Sequence, residues 1–164
     1  MDKPLWRPAY VGLGSNLEEP RTQVLRALER IRELPLTRLI LASPLYRSRP
    51  MGPVPQPDFV NAVAALLTQL EARALLDGLR EVEAQHGRPP VHAHWGPRVI
   101  DLDLLACGQE QRSDPTLTLP HPGIPARNFV LYPLADIAPD LYLPGLGRVA
   151  ELAGRVSTEG LARL

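Results

Sequence analysis

Two aspartates one residue apart, Asp101 and Asp103, stand in the run Arg98-Val99-Ile100-Asp101-Leu102-Asp103-Leu104. On a strand, side chains alternate faces, so Ile100, Leu102 and Leu104 turn one way and both carboxylates the other. At roughly 3.3 Å per residue they lie about 6.6 Å apart along the chain. Two ionised carboxylates this close repel unless something cationic lies between them. Magnesium is the natural candidate, because it takes one or two carboxylates and fills its shell with substrate phosphates. A polar outer face is the plainer reading of such a pair, but the neighbours here are strongly apolar. The preceding loop, residues 86–98, sets Arg88, Arg98 and Trp95 among Gly and Pro. Arginines beside two aspartates suit a lid over a polyphosphate, since the guanidinium fork matches phosphate oxygens and closure excludes water. His92 and His94 have the spacing of zinc ligands, but no cysteine or third histidine stands near, so they read as solvated loop residues. Further on, His121 is held between Pro120 and Pro122, which fits a ligand contact or a turn equally, with Arg127 and Phe129 after it. Arg80 and Glu83, three apart on a predicted helix, read from spacing alone as a surface ion pair.

These residues need a frame, and the sequence provides one. Ala9–Leu13 is a short buried strand ending in Gly12-Leu13-Gly14-Ser15-Asn16. Pro20 opens a helix whose apolar positions are Val24, Leu25, Leu28, Ile31 and Leu34. Residues 38–47 read as a strand, 48–57 as a proline-rich loop and 59–67 as a strand. A second helix runs from about Glu71 to His86, on the stripe Leu75, Leu76, Leu79 and Val82. Residues 99–107 form a strong strand, 117–120 are extended, 127–137 are helical, and 142–156 are weakly patterned. The order β-α-β-β-α-β predicts an α+β ferredoxin-like sandwich, an antiparallel sheet with two helices on one face, as a single domain over residues 1–164.

Composition narrows the function. The 164 residues carry 18 basic and 18 acidic side chains, a net charge of zero, which argues against nucleic-acid or membrane-surface binding. Lys3 is the sole lysine, so an anion must be held by clustered arginines. The single cysteine, Cys107, sits in an apolar run and reads as a buried inert thiol. No signal-peptide core or long apolar stretch occurs, so a cytoplasmic protein is expected. A P-loop is absent, Gly12-Leu13-Gly14 lacks the third glycine of a dinucleotide fold, and no nucleophile elbow is present.

Read together, Gly12–Leu17, Tyr46–Ser48, Gly52-Pro53, Gln56–Asn61, Glu83, Gly87-Arg88, Trp95–Leu104, Pro120-His121 and Arg127–Leu131 resemble the hydroxymethyldihydropterin pyrophosphokinase family over nearly the whole chain. The W-G-P-R-x-x-D-L-D core, Trp95 to Asp103, is specific to it. The resemblance implies a monomeric enzyme with ATP as co-substrate and two Mg2+ ions bridged by Asp101 and Asp103. Arg88 and Arg98 match arginines on the triphosphate, His121 an ATP-contacting histidine, Trp95 the lid aromatic and Glu83 an acid near the nucleotide, with Arg127 beside them. Phe59 and Phe129 match the aromatics that sandwich the pterin. Asn61 matches the amide that reads its edge, and Ser48 and Met51 offer main-chain contacts. The chain departs from the pattern at Arg49, often proline; Arg80, often glutamine; and Pro90 and Thr116, where relatives often carry arginine. Two rivals remain: a phosphohydrolase or nucleotidyltransferase on the same aspartates, and a ferredoxin-like binding module without catalysis.

Overall fold

The alternating strands and 3.6-period helices appear where their patterns place them, with sharper edges. The computed structural model describes residues 5–86 and 99–164. Strands β1 (Arg7–Ser15), β2 (Thr37–Ala42), β3 (Tyr46–Ser48), β4 (Phe59–Thr68) and β5 (Asp101–Cys107) enclose helices α1 (Pro20–Arg32) and α2 (Ala72–Gln85). A hairpin, β6 (Arg112–Asp114) and β7 (Leu117–Leu119), precedes α3 (Asn128–Ile137). The chain then forms β8 (Tyr142–Leu143), β9 (Gly147–Arg148), α4 (Val149–Ala153) and β10 (Leu161–Arg163). β4 and β1 are central, β5 flanks β1, β2 and β3 share the far side of β4, and β10 adds to β3, all antiparallel. Two split β-α-β units result, which is the ferredoxin-like arrangement.

Each face of the sheet has its own core. Ala9, Val11, Leu13, Ala64, Leu66, Leu102 and Leu104 pack against Val24, Ala27 and Ile31 of α1 and Leu75, Leu79 and Val82 of α2. Leu25 is half exposed; Ala27 takes the core position instead, on the i, i+3, i+7 stripe from Val24. On the other face Val63, Leu105 and Ala106 meet Val130, Leu131 and Leu134 of α3 and Leu152 of α4. α1 and α2 share one face, as expected, and α3 and α4 cover the other. The weakly patterned tail adds Leu143, Val149, Leu152 and Ala153 to that second core.

Two further differences have local causes. The strand expected over 38–47 breaks at Ser43-Pro44-Leu45, because Pro44 has no N–H to give a ladder. Ser43 bridges the gap to β4: its N–H donates to the Val63 carbonyl at 2.8 Å, and its Oγ accepts from Val63 N–H at 2.9 Å. The three residues of β10 carried no readable pattern. They are held by pairing with β3 and by Arg163 Nη2, 2.7 Å from Asp136 Oδ1, while the Tyr46 hydroxyl donates to Asp136 Oδ2. Among the described residues no helix is long and apolar enough to cross a membrane.

Candidate active site

Alternation sorts the site residues onto one sheet face. Gly12 and Gly14 of β1, Phe59 and Asn61 of β4, and Asp101 and Asp103 of β5 lie opposite the face that carries α1 and α2. Register makes them neighbours, with Gly14 opposite Asn61 on one side and Asp101 on the other, and Gly12 opposite Asp103. Ser48 lies opposite Phe59. The first turn of α3 closes over this floor with Phe129 and Val130, and Arg127 precedes it. A cavity results, lined by Phe59 and Phe129, by Ser48, Met51, Gln56 and Asn61, and by Asp101, Asp103 and Arg127.

Its polar groups are fixed in advance. The Ser48 hydroxyl donates to Asn61 Oδ1, and both residues are buried, so Asn61 has its Nδ2 on the opposite side. Asn16 Nδ2 donates to Gln56 Oε1 at 2.8 Å and to the Pro57 carbonyl at 3.0 Å, tying the loop before β4 to the end of β1. Gly14 leaves space for the amide: a Cβ there would stand 3.0 Å from Asn61 Nδ2. Gly14→Ala must therefore displace an amide that Ser48 holds still. It should weaken binding of a flat heterocycle about tenfold, near 1.4 kcal/mol, read by fluorescence titration; wild-type affinity would contradict this geometry.

A second basin opens on the other side of Asp103, lined by Leu76, Arg80, Thr116, Leu117, Thr118 and His121. Among the described residues Asp103 is the one lining both. Its Oδ1 is 4.0 Å from His121 Nε2 and its Oδ2 is 3.8 Å from Arg127 Nη1. Burial, with the charge of Asp101 behind it, pushes the Asp103 carboxyl up to about 7, while Arg127 and Arg80 pull the other way. His121 is driven down to about 4, by burial first and then by the Arg127 charge. Its Nδ1 accepts from Gly123 N–H at 3.0 Å, so the neutral ring carries its proton on Nε2, toward Asp103. His121 thus makes the turn and also faces the basin.

Residues 10–139 match the family described as 7,8-dihydro-6-hydroxymethylpterin-pyrophosphokinase (HPPK). The chain belongs to that family. It is 51% identical to a 2-amino-4-hydroxy-6-hydroxymethyldihydropteridine pyrophosphokinase of Pseudomonas aeruginosa, over 94% of this chain and 95% of that one. It is 42% identical to the enzyme of the same name from Haemophilus influenzae, over 95% and 97%. A crystal structure of Plasmodium falciparum HPPK-DHPS with pterin and p-hydroxybenzoate has the same fold, with a TM-score of 0.76 at 14% identity. It aligns with 99% of this chain, which spans 47% of the Plasmodium one.

Within this HPPK chain, Ser48, Met51, Phe59, Asn61, Asp101, Asp103, Arg127 and Phe129 meet around one cavity, and His121 lies in the adjoining basin. Arg88, Trp95 and Arg98, with His92 and His94, lie outside the described residues. Glu83 lies beneath β5 rather than in either basin: it is 3% exposed and accepts from Arg80 and from the Leu102 N–H. The Arg80–Glu83 contact is thus half-buried, not the surface pair that spacing suggested. Gln56, Gly14 and Arg80 also line the two basins, a place the sequence reading did not give them. Alternation through Gly12-Leu13-Gly14 held the signal for Gly14; nothing local held it for Arg80.

Proposed function

We infer that this chain transfers the pyrophosphoryl group of ATP to the hydroxymethyl oxygen of 6-hydroxymethyl-7,8-dihydropterin, giving the pterin diphosphate and AMP in folate biosynthesis. The position of Asp103 carries the reading. It is the shared wall between a slot shaped for a flat heterocycle and a basin that offers a neutral histidine. A reaction joining a pterin alcohol to a nucleotide needs such a residue between its two substrates.

Mg2+ fits the donor set. Among the described residues no cluster of three or more His, Cys, Asp or Glu forms a self-sufficient cage. Asp101 and Asp103 are the carboxylates that would hold Mg2+, a cation suited to one or two carboxylates together with substrate phosphates. When bound, Mg2+ supplies charge neutralisation on the transferring phosphates. Phe59 and Phe129 hold the pterin between their faces, a geometry that π-systems favour, and Asn61 reads its edge. The hydroxymethyl oxygen then points toward Asp103 and Arg127. Its bond to the β-phosphorus forms as the bond from that phosphorus to the oxygen bridging to the α-phosphorus breaks, and the hydroxyl proton passes to solvent. AMP leaves. His121 meets the nucleotide as a neutral donor, and Arg88, Arg98 and Trp95 are the residues that the family resemblance assigns to the triphosphate. Catalysis is chiefly positioning and charge stabilisation. The enzyme is cytoplasmic and acts as a monomer on this reading.

A pH dependence follows. Below about 7 the Asp103 carboxyl keeps a proton that competes with the cation; above it that carboxylate is free to take the cation. His121, down at about 4, stays neutral throughout that range and adds no slope. Mg2+ affinity should therefore climb between pH 6 and pH 8 with proton release near pH 7, measured by calorimetry in buffers of different ionisation enthalpy. A flat affinity would count against this charge arrangement.

The activity is tested by incubating the protein with ATP, Mg2+ and 6-hydroxymethyl-7,8-dihydropterin and resolving the nucleotides. AMP that forms only with pterin and metal together supports pyrophosphoryl transfer. ADP or free phosphate assigns the same aspartates to kinase or hydrolase chemistry.

A further inference from the structure

Among the described residues β5 ends the sheet and pairs on one side only, with β1. Peptide groups turned to its free edge need other partners, because a buried unpaired N–H or carbonyl is unfavourable. At Leu102 both partners come from α2. The Leu102 N–H donates to Glu83 Oε2 at 2.8 Å, and its carbonyl accepts from Arg80 Nη1 at 2.9 Å. The same Arg80 nitrogen donates to Glu83 Oε1 at 2.8 Å, closing a ring around one peptide residue. Glu83 is almost fully buried, while the Arg80 side chain is 49% exposed and reaches into the basin beside Asp103.

Leu102 stands between the two aspartates. Whatever fixes its backbone also fixes the directions in which the flanking side chains leave the strand. On an edge strand no second ladder does this, so the task falls to two side chains one helical turn apart.

We propose that Arg80 and Glu83 are positioning residues for the Asp101–Asp103 pair, clamping the Leu102 peptide so that the carboxylates hold the separation and attitude a divalent cation needs. This rests on the reading of those aspartates as cation ligands. Arg80 is the removable jaw: it is half exposed, and Glu83 keeps the Leu102 N–H without it.

The test compares wild type with Arg80→Met, which keeps an apolar stem, and Arg80→Lys, which keeps one donor in reach of the Leu102 carbonyl. On the full chain, calorimetry measures Mn2+ binding in the presence of a non-hydrolysable ATP analogue, analogue binding without metal, and pterin binding. Arg80→Met should weaken the Mn2+ step tenfold or more, shift metal-free analogue binding less than threefold and leave pterin affinity within twofold. Arg80→Lys should recover part of the Mn2+ loss. Wild-type Mn2+ affinity in Arg80→Met overturns the proposal. So does an equal loss with and without metal, which would make Arg80 a direct phosphate contact. A loss of pterin binding in both variants overturns it too, as general damage to the fold. Wild-type protein that binds the analogue equally with and without Mn2+ fails at the earlier step, the cation reading itself.

Discussion

Asp103→Ala should lower turnover by three orders of magnitude or more, about 4 kcal/mol of transition-state stabilisation, and should do so in a protein that is no less stable than the parent. The first half follows from the position of Asp103 between the two basins. The second follows from its electrostatics. A carboxyl held up to about 7 in the fold titrates near the ordinary 3.9 in the unfolded chain, so without metal the folded state binds the extra proton. The penalty is absent below the unfolded value, grows as pH rises, and is complete above about 7. Removing the carboxylate should therefore raise Tm at pH 8 and change it little near pH 4. Thermal melts at both pH values, beside steady-state assays, separate the outcomes. Near-normal turnover removes Asp103 from the chemistry, and a lower Tm at pH 8 attributes any lost activity to unfolding.

Phe129→Ala should weaken pterin binding about 10- to 100-fold, on the order of 1–3 kcal/mol for one stacked ring, with ATP binding within about twofold. The selectivity comes from geometry: Phe129 lines the slot but not the basin that holds Arg80 and His121. It stands on the second residue of α3, with the Arg127 guanidinium 5.9 Å from its ring centre. Arg127 keeps its place near Asp103 through the turn before α3, so the nucleotide side should be spared. Fluorescence titrations with each ligand alone measure the two affinities. Equal weakening of both would mean that the loss runs through Arg127, and unchanged pterin binding would take Phe129 out of the clamp.

The parts of this molecule that were legible in the sequence are those governed by a short period. Alternation in β5 put Asp101 and Asp103 on one face with Leu102 and Leu104 on the other, as found. The stripe Leu75, Leu76, Leu79 and Val82 gave α2 its buried side. The positions that escaped depend on pairing across the chain. β10 is three residues whose order comes from β3 and from the Arg163–Asp136 pair. Leu105 and Ala106 both join the second core because the β1–β5 register shifts between Tyr10 and Val11, which no alternating pattern signals. Arg80 and Glu83 gave the right spacing for a pair, but their burial against Leu102 is a consequence of β5 lying at the sheet edge. For the chemistry, residue types were informative in the same measure: a D-x-D on a strand is weak alone and gained weight from its apolar neighbours and the arginine loop before it, while Phe59 and Phe129, 70 positions apart, were linked by the family resemblance and line one cavity.

The claim on which the rest depends is that two phosphoryl groups move together to the pterin. It is tested most directly by supplying ATP labelled at the β-phosphorus, with Mg2+ and 6-hydroxymethyl-7,8-dihydropterin, and weighing the pterin product. The expected product is a pterin that carries two phosphoryl groups, with the β label in it and none left on the nucleotide formed alongside. A pterin with one phosphoryl group and the β label retained in ADP would contradict it.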